Sequence, residues 1–377
     1  MSELYRLQNS IQSYAWGSRT VLAELQGRPV PSAGPEAELW VGAHPSAPSH
    51  IPGAGSLGEA IAAEPARLLG PGLDRLPFLL KILAVGRPLS IQVHPDADQA
   101  VRGFAREAGL AAGDPARSYH DDCAKPELIY AVTPFEALCG FRDPLDAAKD
   151  LQGERLTRVA DALLQGGHRA AVSLLSRWPR EDRGALVEEV RPAGEDWTLR
   201  LADAYPDDPG VIVALLLNRV VLAPGQALYA RPRTIHAYLH GTGVEIMASS
   251  DNVLRGGLTP KHIDLDELLE VTSFAPARPE TVEPVRLPNG EDLFPAPATQ
   301  FQLTRLRPAP RLEITDPGPG AILCLDGSLE IGRGSRTEIL RPGEALFLPY
   351  EGGPVRVGGS GLGFRAALPE PIGRPHP

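Results

Sequence analysis

Turn-forming residues recur at short intervals through most of this chain, and this spacing constrains its fold more than any other feature. The 377 residues include 39 glycines and 39 prolines, which are scattered rather than clustered. Between them lie short alternating runs such as ELWVGAHP (38–45) and LPFLLKILAV (76–85). Glycine and proline mark turns, and alternation marks strands with one buried face. The pattern therefore predicts a mainly β fold.

A repeated motif indicates that the chain contains two related barrels. APGQALYARP (223–232) and RPGEALFLPY (341–350) share the form Pro-Gly-x-Ala-Leu-aromatic. A Pro-Gly turn that leads into an inward-facing strand recurs in jelly-roll sheets. The first copy continues into RTIHAYLHGTG, which contains histidines, and the second into EGGPVRV, which contains none. We therefore expect one jelly roll equipped for chemistry and one without metal ligands.

A helical pattern separates two parts of the first barrel. Apolar residues at helical spacing occur over 145–178 and 181–190. One predicted helical face consists of Leu156, Val159, Ala160, Leu163 and Leu164. A capped short helix is predicted within 259–271. The predicted domains are a metal-binding jelly roll (1–144 and 211–284), a helical insertion (145–210) and a second, metal-free jelly roll (285–377).

Charge and composition limit the partners that this chain can have. A net charge of −10 argues against nucleic acid or an anionic membrane as a partner, but not against a small anionic substrate. The longest apolar run, VIVALLL (211–217), is too short to span a bilayer, and the N-terminus does not resemble a signal peptide. Three widely spaced cysteines suit a reducing cytoplasm. We expect a cytoplasmic protein, either monomer or homodimer.

The stretch LSIQVHPD (89–96) places polar side chains in a row. Side chains alternate along a strand, so Ser90, Gln92 and His94 share one face, opposite the apolar residues between them. Such a row is compatible with an ordinary half-exposed strand. For this motif alone the ordinary strand is favoured over the lining of a site, and the rest of the chain has to decide.

Two further segments supply candidate metal ligands. In TIHAYLHG (234–241), alternation along a strand places His236, Tyr238 and His240 on one face. Glu127 begins another predicted strand after Pro126. Two imidazoles, one carboxylate and one amide oxygen suit zinc, with room for a water or a substrate. On the residues alone, a metal site and a polar strand face remain about equally supported.

Ordered motifs over residues 7–264 resemble the type I mannose-6-phosphate isomerases. They are LQNSIQSYAWGSR, AELWVGAHP, LPFLLKILAVGRPLSIQVHPD, KPELIYAVTPFEALCGFR and IHAYLHGTGVEIMASSDNVLRGGLTPKHID. The resemblance implies a cupin-type jelly roll that holds one zinc ion, an inserted helical domain and a second jelly roll without metal. It also implies the interconversion of mannose 6-phosphate and fructose 6-phosphate through a cis-enediol.

The resemblance assigns roles to individual residues. By this similarity the zinc ligands are Gln92, His94, Glu127 and His236, and the catalytic arginine is Arg255. Lys125 and Glu245 are candidates for acid–base catalysis, and the sequence does not decide between them. The candidate substrate-binding residues are Ser90, Lys261, Tyr238 and Asp251, of which the last two are expected to orient their neighbours. We expect the glycines after Arg255 to let the backbone pass close to a ligand.

One departure and two rival functions remain. Family members commonly have Asn-His before Lys-Pro-Glu, where this chain has Cys123 and Ala124. If that histidine moves protons in relatives, another group such as Lys125 or Glu245 must do so here; Cys123 as a nucleophile is called for neither by the chemistry nor by the family. A cupin Fe(II) oxygenase would also use two histidines and one carboxylate. A non-catalytic sugar-phosphate-binding cupin would bind metal without turnover.

Overall fold

The structure, a computed structural model, describes residues 4–111, 113–308, 311–316 and 318–369. The strands are β1 (Tyr5–Leu7), β2 (Ser10–Gln12), β3 (Glu38–Val41), β4 (His50–Ile51), β5 (Gly55–Ser56), β6 (Phe78–Val85), β7 (Ile91–Val93), β8 (Glu127–Ala131), β9 (Phe135–Phe141), β10 (Leu217–Leu222), β11 (Ala227–Ala230), β12 (His236–Ala248), β13 (Leu254–Gly257), β14 (Glu280–Val282), β15 (Val285–Arg286), β16 (Asp292–Phe294), β17 (Gln302–Leu306), β18 (Leu312–Ile314), β19 (Gly320–Asp326), β20 (Leu329–Arg333), β21 (Arg336–Leu340), β22 (Ala345–Leu348), β23 (Val355–Gly359) and β24 (Leu362–Ala367). The helices are α1 (Val21–Leu25), α2 (Leu57–Ala63), α3 (Pro65–Leu69), α4 (Ala97–Arg106), α5 (Pro144–Lys149), α6 (Glu154–Ser176), α7 (Arg183–Glu188), α8 (Asp196–Ala204), α9 (Gly210–Leu215) and α10 (Leu265–Val271). The predicted mainly β fold is confirmed.

The first barrel consists of two antiparallel sheets that share the long strand β12. The second half of β12 pairs with β6 and β8 in a sheet of order β14-β11-β8-β12-β6-β3-β2. The first half pairs with β9 and β7, which in turn pair with β10 and β13. Because one strand runs through both sheets, β12 contributes side chains to the same interior from both of its halves, with a change in alternation at the register shift between Tyr238 and His240.

Strand β6 is apolar over nearly its whole length because both of its faces are covered. Phe78 and Leu80 belong to the apolar cluster between the two barrels, whereas Leu79 and Leu83 pack inside the first barrel. A near-continuous apolar run is typical of a strand covered on both faces. Lys81 lies between Leu79 and Leu83 on the inward face, and it is buried.

Helices cover the outer face of the smaller sheet. Ile91 and Val93 of β7 belong to the same apolar cluster as residues of helices α5 to α9, so β7 turns its apolar side to the helices. Most of the helical face predicted for α6 is buried, but Leu164 is 51% exposed. It lies at the margin of the apolar stripe, just before the helix breaks at Gly167, which has φ 69°. Among the described residues, no helix combines the length and apolar character needed to cross a bilayer.

The repeated Pro-Gly motif forms the same turn in both barrels. The glycine of each turn has positive φ, 100° in the first copy and 81° in the second. In the first copy, the Gln226 side chain accepts a 2.8 Å hydrogen bond from the Ala223 N–H. In the second, Glu344 accepts a 2.8 Å bond from the Arg341 N–H. Each turn leads into a fully buried four-residue strand, β11 or β22, so the two copies are structurally equivalent.

The second barrel packs a seven-stranded sheet against a four-stranded one. The larger sheet has the order β1-β22-β19-β24-β17-β16-β15, and the smaller β18-β23-β20-β21. The outer face of the larger sheet packs on the first barrel, with Phe347 and Phe364 in the shared cluster. Its strand β1 comes from residues that the sequence analysis assigned to the first jelly roll. The two barrels are thus linked at the N-terminal strand as well as by packing.

Candidate metal centre and active site

Three adjacent strands align polar residues in one row inside the first barrel. Gln92 on β7 lies opposite His236 on β12, and Arg255 on β13 lies opposite Gln92 from the other side. Directly opposed residues on paired strands point to the same face of the sheet. The alternation predicted for LSIQVHPD is present over β7, with Ile91 and Val93 toward the helices and Gln92 toward the interior, whereas Leu89 packs in the cluster inside the first barrel.

Two imidazoles and one carboxylate converge at the end of this row. His94 Nε2 lies 3.3 Å from Glu127 Oε1, and His236 Nε2 lies 3.1 Å from Glu127 Oε2. One ligand atom from each of the three lies within 4.8 Å of the others, and all three side chains are buried. Two nitrogen donors and one carboxylate form a donor set that suits a divalent transition metal such as zinc.

The other nitrogen of each ring fixes its tautomer. His94 Nδ1 lies 2.7 Å from the Asn252 carbonyl oxygen, and His236 Nδ1 lies 2.9 Å from that of Thr234. Since a carbonyl oxygen only accepts, the ring hydrogen is on Nδ1 in both cases. Both Nε2 lone pairs then face the Glu127 carboxylate. Metal-ligating histidines are held in the same way.

The protonation of this cluster favours a cation at its centre. Burial alone would raise the pKa of Glu127, but Lys125 and the two imidazoles outweigh it and hold that pKa well below its usual range. Burial, together with Lys125, lowers the pKa of His94 to about 4. Burial also opposes charge on His236, but its hydrogen bond to Glu127 prevails and raises its pKa. A proton on His236 leaves the buried His94 Nε2 without a hydrogen-bond partner, and a metal ion satisfies both rings.

A cavity of about 1040 Å³ opens above the cluster, lined at its base by Gln92, Lys125 and Glu127. Arg255 and Lys261 also line it, and among the described residues neither has an ion-pair partner. Burial lowers the pKa of Arg255, and burial with the nearby Arg255 charge lowers that of Lys261. Two neighbouring cations without a carboxylate form a binding surface for an anion.

A second group of charged side chains also lines the cavity. Lys81 Nζ lies 3.4 Å from Glu38 Oε2 and 3.3 Å from Glu245 Oε2, and all three side chains are buried. Burial raises the pKa of Glu245 to about 7, although Lys81 counteracts it. Burial and then the Glu245 carboxylate raise the pKa of Tyr238 well above its usual range, and Tyr238 hydrogen-bonds Glu245. The cavity thus contains a carboxyl group that titrates near neutral pH.

One predicted neighbour of this site lies elsewhere. His240 was expected on the same strand face as His236 and Tyr238, but its side chain is exposed at the cavity mouth. The pairing of β12 with β9 shifts register between Tyr238 and His240, which is a β-bulge. One extra residue reverses the alternation, so His240 is separated from the metal-binding cluster.

The other predicted residues also border the cavity. Ser90 and Asp251 are part of its lining. Asp251 Oδ1 lies 3.4 Å from His44 Nε2, and its other oxygen accepts a 3.1 Å hydrogen bond from Ser46, which agrees with an orienting role. Cys123 is outside the lining, and burial raises its pKa to about 11, which is opposite to the shift that activates a thiol.

The second glycine after Arg255 allows a close approach between two segments of the protein. Gly257 has φ 139°, and a Cβ on it would lie 2.5 Å from the Cα of Gly210. The close approach at Gly257 is therefore between β13 and the start of helix α9. A Cβ on Gly256 would make only ordinary contacts.

Sequence reasoning missed several residues of the cavity. Lys81 and Glu38 have no motif of their own, although Lys81 is one of only four lysines in the chain and lies in an otherwise apolar strand. Arg200 lies within α8 and Tyr205 directly follows it, and the Tyr205 hydroxyl donates a 3.1 Å hydrogen bond to the Pro88 carbonyl. His120, in the turn before Lys125, also lines the cavity.

Comparisons with known proteins agree on one family. Residues 4–144 match the model of the type I phosphomannose isomerase catalytic domain. The mannose-6-phosphate isomerase of Shigella flexneri is 39% identical over 95% of this chain and 98% of its own length. That of Escherichia coli K12 is 38% identical over the same shares of the two chains.

Solved structures show the same likeness. A crystal structure of mannose 6-phosphate isomerase from Salmonella typhimurium, bound to its substrate f6p and a zinc atom, has a TM-score of 0.89 and 35% identity. It covers 97% of this chain, and all of that chain is matched. A mannose 6-phosphate isomerase bound with zinc and yttrium has the same TM-score and coverage at 36% identity.

Proposed function

We propose that the first barrel contains the active site of a zinc-dependent aldose–ketose isomerase. The chain belongs to the type I phosphomannose isomerase family. The enzyme interconverts mannose 6-phosphate and fructose 6-phosphate through a cis-enediol. The structure of the relative with bound substrate supports a sugar phosphate as the partner, and the zinc atom in that structure supports zinc as the cofactor.

The observation that carries this proposal is the buried cluster of His94, Glu127 and His236 beneath an open cavity. These three side chains hold the zinc ion, with Gln92 as a fourth, neutral ligand from the adjacent strand position. Fewer charged ligands than in a structural site leave a net positive centre that is open to substrate. When bound, zinc supplies Lewis acidity toward the substrate oxygens.

The cations of the cavity bind the substrate. Arg255 and Lys261, neither of which has an ion-pair partner among the described residues, orient the phosphorylated open chain together with Ser90. Arg255 lies directly opposite Gln92 on the neighbouring strand. Its guanidinium is therefore close enough to the metal site to stabilise negative charge on the enediolate as well. A planar guanidinium suits that role better than an ammonium because it offers paired donors.

The isomerisation moves one proton between C2 and C1, and Glu245 is our assignment for the group that carries it. It lines the cavity, and its pKa of about 7 lets it accept and return a proton near neutral pH. Lys81 and Tyr238 hold its carboxylate in place. Lys125 Nζ lies 3.1 Å from Glu127 Oε1, so Lys125 contributes positive charge beside the metal site.

The departure from the family before Lys125 fits this assignment. Ala124 carries no proton-transfer group, and the Cys123 thiol is held protonated by its raised pKa. Glu245 is independent of that segment because it lies on β12. Acid–base catalysis in this chain therefore needs no histidine at position 124.

An anaerobic coupled assay with mannose 6-phosphate tests the function. Formation of fructose 6-phosphate without oxygen, its loss on chelation and its return with zinc are the expected results. Turnover that requires oxygen would indicate an Fe(II) oxygenase instead, and metal binding without any turnover would indicate a sugar-binding cupin. Neither rival is favoured by the relatives found.

The cellular setting is a further part of the proposal. All three cysteines are free, and none forms a disulfide. Disulfides are rare in reducing compartments, so this agrees with a cytoplasmic enzyme, where phosphorylated sugars are also handled. Cell fractionation followed by the same assay tests it.

A further inference from the structure

Asn252 uses its whole side chain to hold one turn of the cavity wall. The residue is fully buried between strands β12 and β13. Its Nδ2 donates to the Asp121 carbonyl at 2.8 Å, to the Cys123 carbonyl at 3.0 Å and to Asp121 Oδ1 at 3.2 Å. Its Oδ1 accepts from the N–H groups of His120 at 2.7 Å and Asp121 at 3.1 Å. The amide therefore closes the turn 120–123 from both sides.

The backbone of the same residue holds a metal-binding imidazole. The Asn252 carbonyl accepts the 2.7 Å hydrogen bond from His94 Nδ1. This bond sets the tautomer of His94 and the direction of its Nε2. Rotation of the Asn252 peptide would move the ring, so whatever fixes the Asn252 side chain also fixes His94.

Neighbouring bonds make the arrangement rigid. The Asn252 N–H donates to Ser250 Oγ at 3.2 Å, and the Asp251 N–H donates to Asp121 Oδ2 at 3.0 Å. Ser250 Oγ in turn donates to the Cys123 carbonyl at 3.4 Å. The segment 250–252 is thus joined to the turn 120–123 at several points.

The turn held in this way borders the cavity at one end and leads to the metal site at the other. His120 lines the cavity, and five residues after it Lys125 and then Glu127 enter the site. Two of the proposed metal ligands come from separate segments, since His94 directly follows β7 and Glu127 begins β8. The Asn252 contacts form a direct hydrogen-bonded connection between the two segments.

We infer that Asn252 is a positioning residue that holds His94 and the 120–123 turn in a fixed relative position. Both the metal affinity and the shape of the cavity wall then depend on this one side chain. The inference rests on the proposed function because it takes His94 as a zinc ligand. Asn252→Ala removes the five side-chain hydrogen bonds but keeps the backbone carbonyl. Asn252→Asp keeps an acceptor for the His120 and Asp121 N–H groups but loses the donors and places a carboxylate beside Asp121.

Zinc affinity, measured by competition with a chromophoric chelator, tests the inference. Loss of groups that orient metal ligands typically weakens metal binding roughly ten- to hundredfold, and we expect a weakening in that range for Asn252→Ala and Asn252→Asp. We also expect a smaller rise in melting temperature when zinc is added. Steady-state kinetics at saturating zinc should show a raised KM, because the cavity wall shifts.

Two controls separate positioning from general destabilisation. Glu189→Ala removes a comparable set of bonds in the helical region, where Glu189 accepts from the Arg155 and Leu156 N–H groups and from the Arg155 side chain. It should lower the melting temperature and leave zinc affinity unchanged. His94→Ala should lose zinc affinity. If His94→Ala binds zinc normally, the proposed ligand set is wrong.

If His94→Ala weakens binding and both Asn252 variants match Glu189→Ala in zinc affinity and wild type in KM, the positioning role is overturned. Should Asn252→Ala not fold, Asn252→Asp decides the question, because it keeps the size of the side chain. An Asn252→Asp variant with wild-type zinc affinity and KM would contradict the inference in that case.

Discussion

At the scale of single residues, the chemistry depends on charged groups that line the cavity, among them the partly buried Arg255, the exposed Lys261 and the buried Glu245. Arg255 and Lys261 face the cavity with no carboxylate partner among the described residues, and Glu245 keeps a pKa near 7 because burial outweighs the nearby cation. Such perturbed groups in a cavity are typical of active sites. Glu245 and Arg255 lie on strands β12 and β13, and Lys261 lies in the segment between β13 and helix α10.

The first prediction concerns Arg255. If its guanidinium meets the charge of the enediolate, Arg255→Ala and Arg255→Lys should lower kcat on the order of a hundredfold or more, as loss of one such donor does elsewhere. Zinc content and melting temperature should stay close to wild type. Arg231→Ala is the control, since Arg231 is an exposed arginine paired with Glu280. An Arg255 variant with intact zinc and unchanged kcat would refute the catalytic role.

The second prediction concerns the pH dependence of catalysis. The charged and titratable side chains that act on Glu245 are Lys81, Lys125, Glu38, Glu127 and Tyr238. Burial raises the pKa of Glu245 to about 7, and Lys81 is the strongest influence in the opposite direction. Lys81→Met should therefore raise this pKa further. Since the carboxylate acts as the base, kcat/KM rises with pH through this pKa, and the variant's acid limb should move to higher pH.

The Lys81→Met variant should also be less stable, by about 3 to 5 kcal/mol, because two buried carboxylates lose their shared cation. Lys149→Met serves as the control, since Lys149 is exposed and pairs only with Asp146 at the surface. It should leave the pH profile in place. An acid limb that stays at its wild-type pH in Lys81→Met would exclude Glu245 as the base.

At the scale of elements, some features were readable from the sequence and others were not. The strands at 38–41 and 78–85 follow from alternation and apolar runs, and helix α10 follows from its cap at Asp264. Helices α2 and α4 were missed, although each begins with a capping box, Ser56 with Glu59 and Asp96 with Gln99. That signal was present and was overlooked. Helices of seven and ten residues give only a short stretch of helical periodicity, which the alternating pattern of the surrounding strands obscures.

The bulge at His240 and the contact at Gly257 could not have been read from the sequence. The bulge arises where β12 leaves one sheet and enters the other, which is a property of the barrel. Gly257 needs its hydrogen because helix α9 crosses at Gly210, more than forty residues away in the chain. Both depend on tertiary contacts, which local periodicity does not encode.

The third prediction tests that contact. A Cβ on Gly257 would collide with Gly210 and would also meet the unfavourable φ of 139°, so Gly257→Ala should destabilise the protein by more than about 1 kcal/mol. Because Gly257 lies two residues after Arg255, kcat should fall as well. Gly256→Ala is the matched control, since a Cβ there makes only ordinary contacts. Equal urea midpoints of unfolding for the two variants would show that the close approach between Gly257 and Gly210 does not contribute to stability.

At the scale of the whole molecule, the first barrel is enclosed between two supports. The helices cover its smaller sheet, and the second barrel covers the outer face of its larger sheet. All side chains that line the cavity among the described residues come from the first barrel and the helical region. No group of possible metal ligands occurs in the described part of the second barrel; His376, the only histidine after His262, lies outside the described residues.

The fourth prediction follows from this division. Phe364 is fully buried in the cluster between the barrels, so Phe364→Ala should cost about 3 to 5 kcal/mol of stability. The kcat of the folded fraction should stay near wild type, because the second barrel contributes no cavity side chain. Val285→Ala, at a half-exposed valine of the same barrel, should have little effect on stability. Loss of kcat at unchanged stability would mean that the second barrel takes part in catalysis.

The zinc content of purified protein, measured beside kcat, tests the central claim that one buried cluster holds a single catalytic zinc. We predict about one zinc per chain in the wild type and none in the His94→Ala, Glu127→Ala double variant, with a matching loss of turnover. The Gln92→Ala variant should keep more zinc than His94→Ala alone or Glu127→Ala alone, since a neutral amide is the weakest of the four ligands. Full zinc retention by the double variant, or turnover without zinc, would contradict the account.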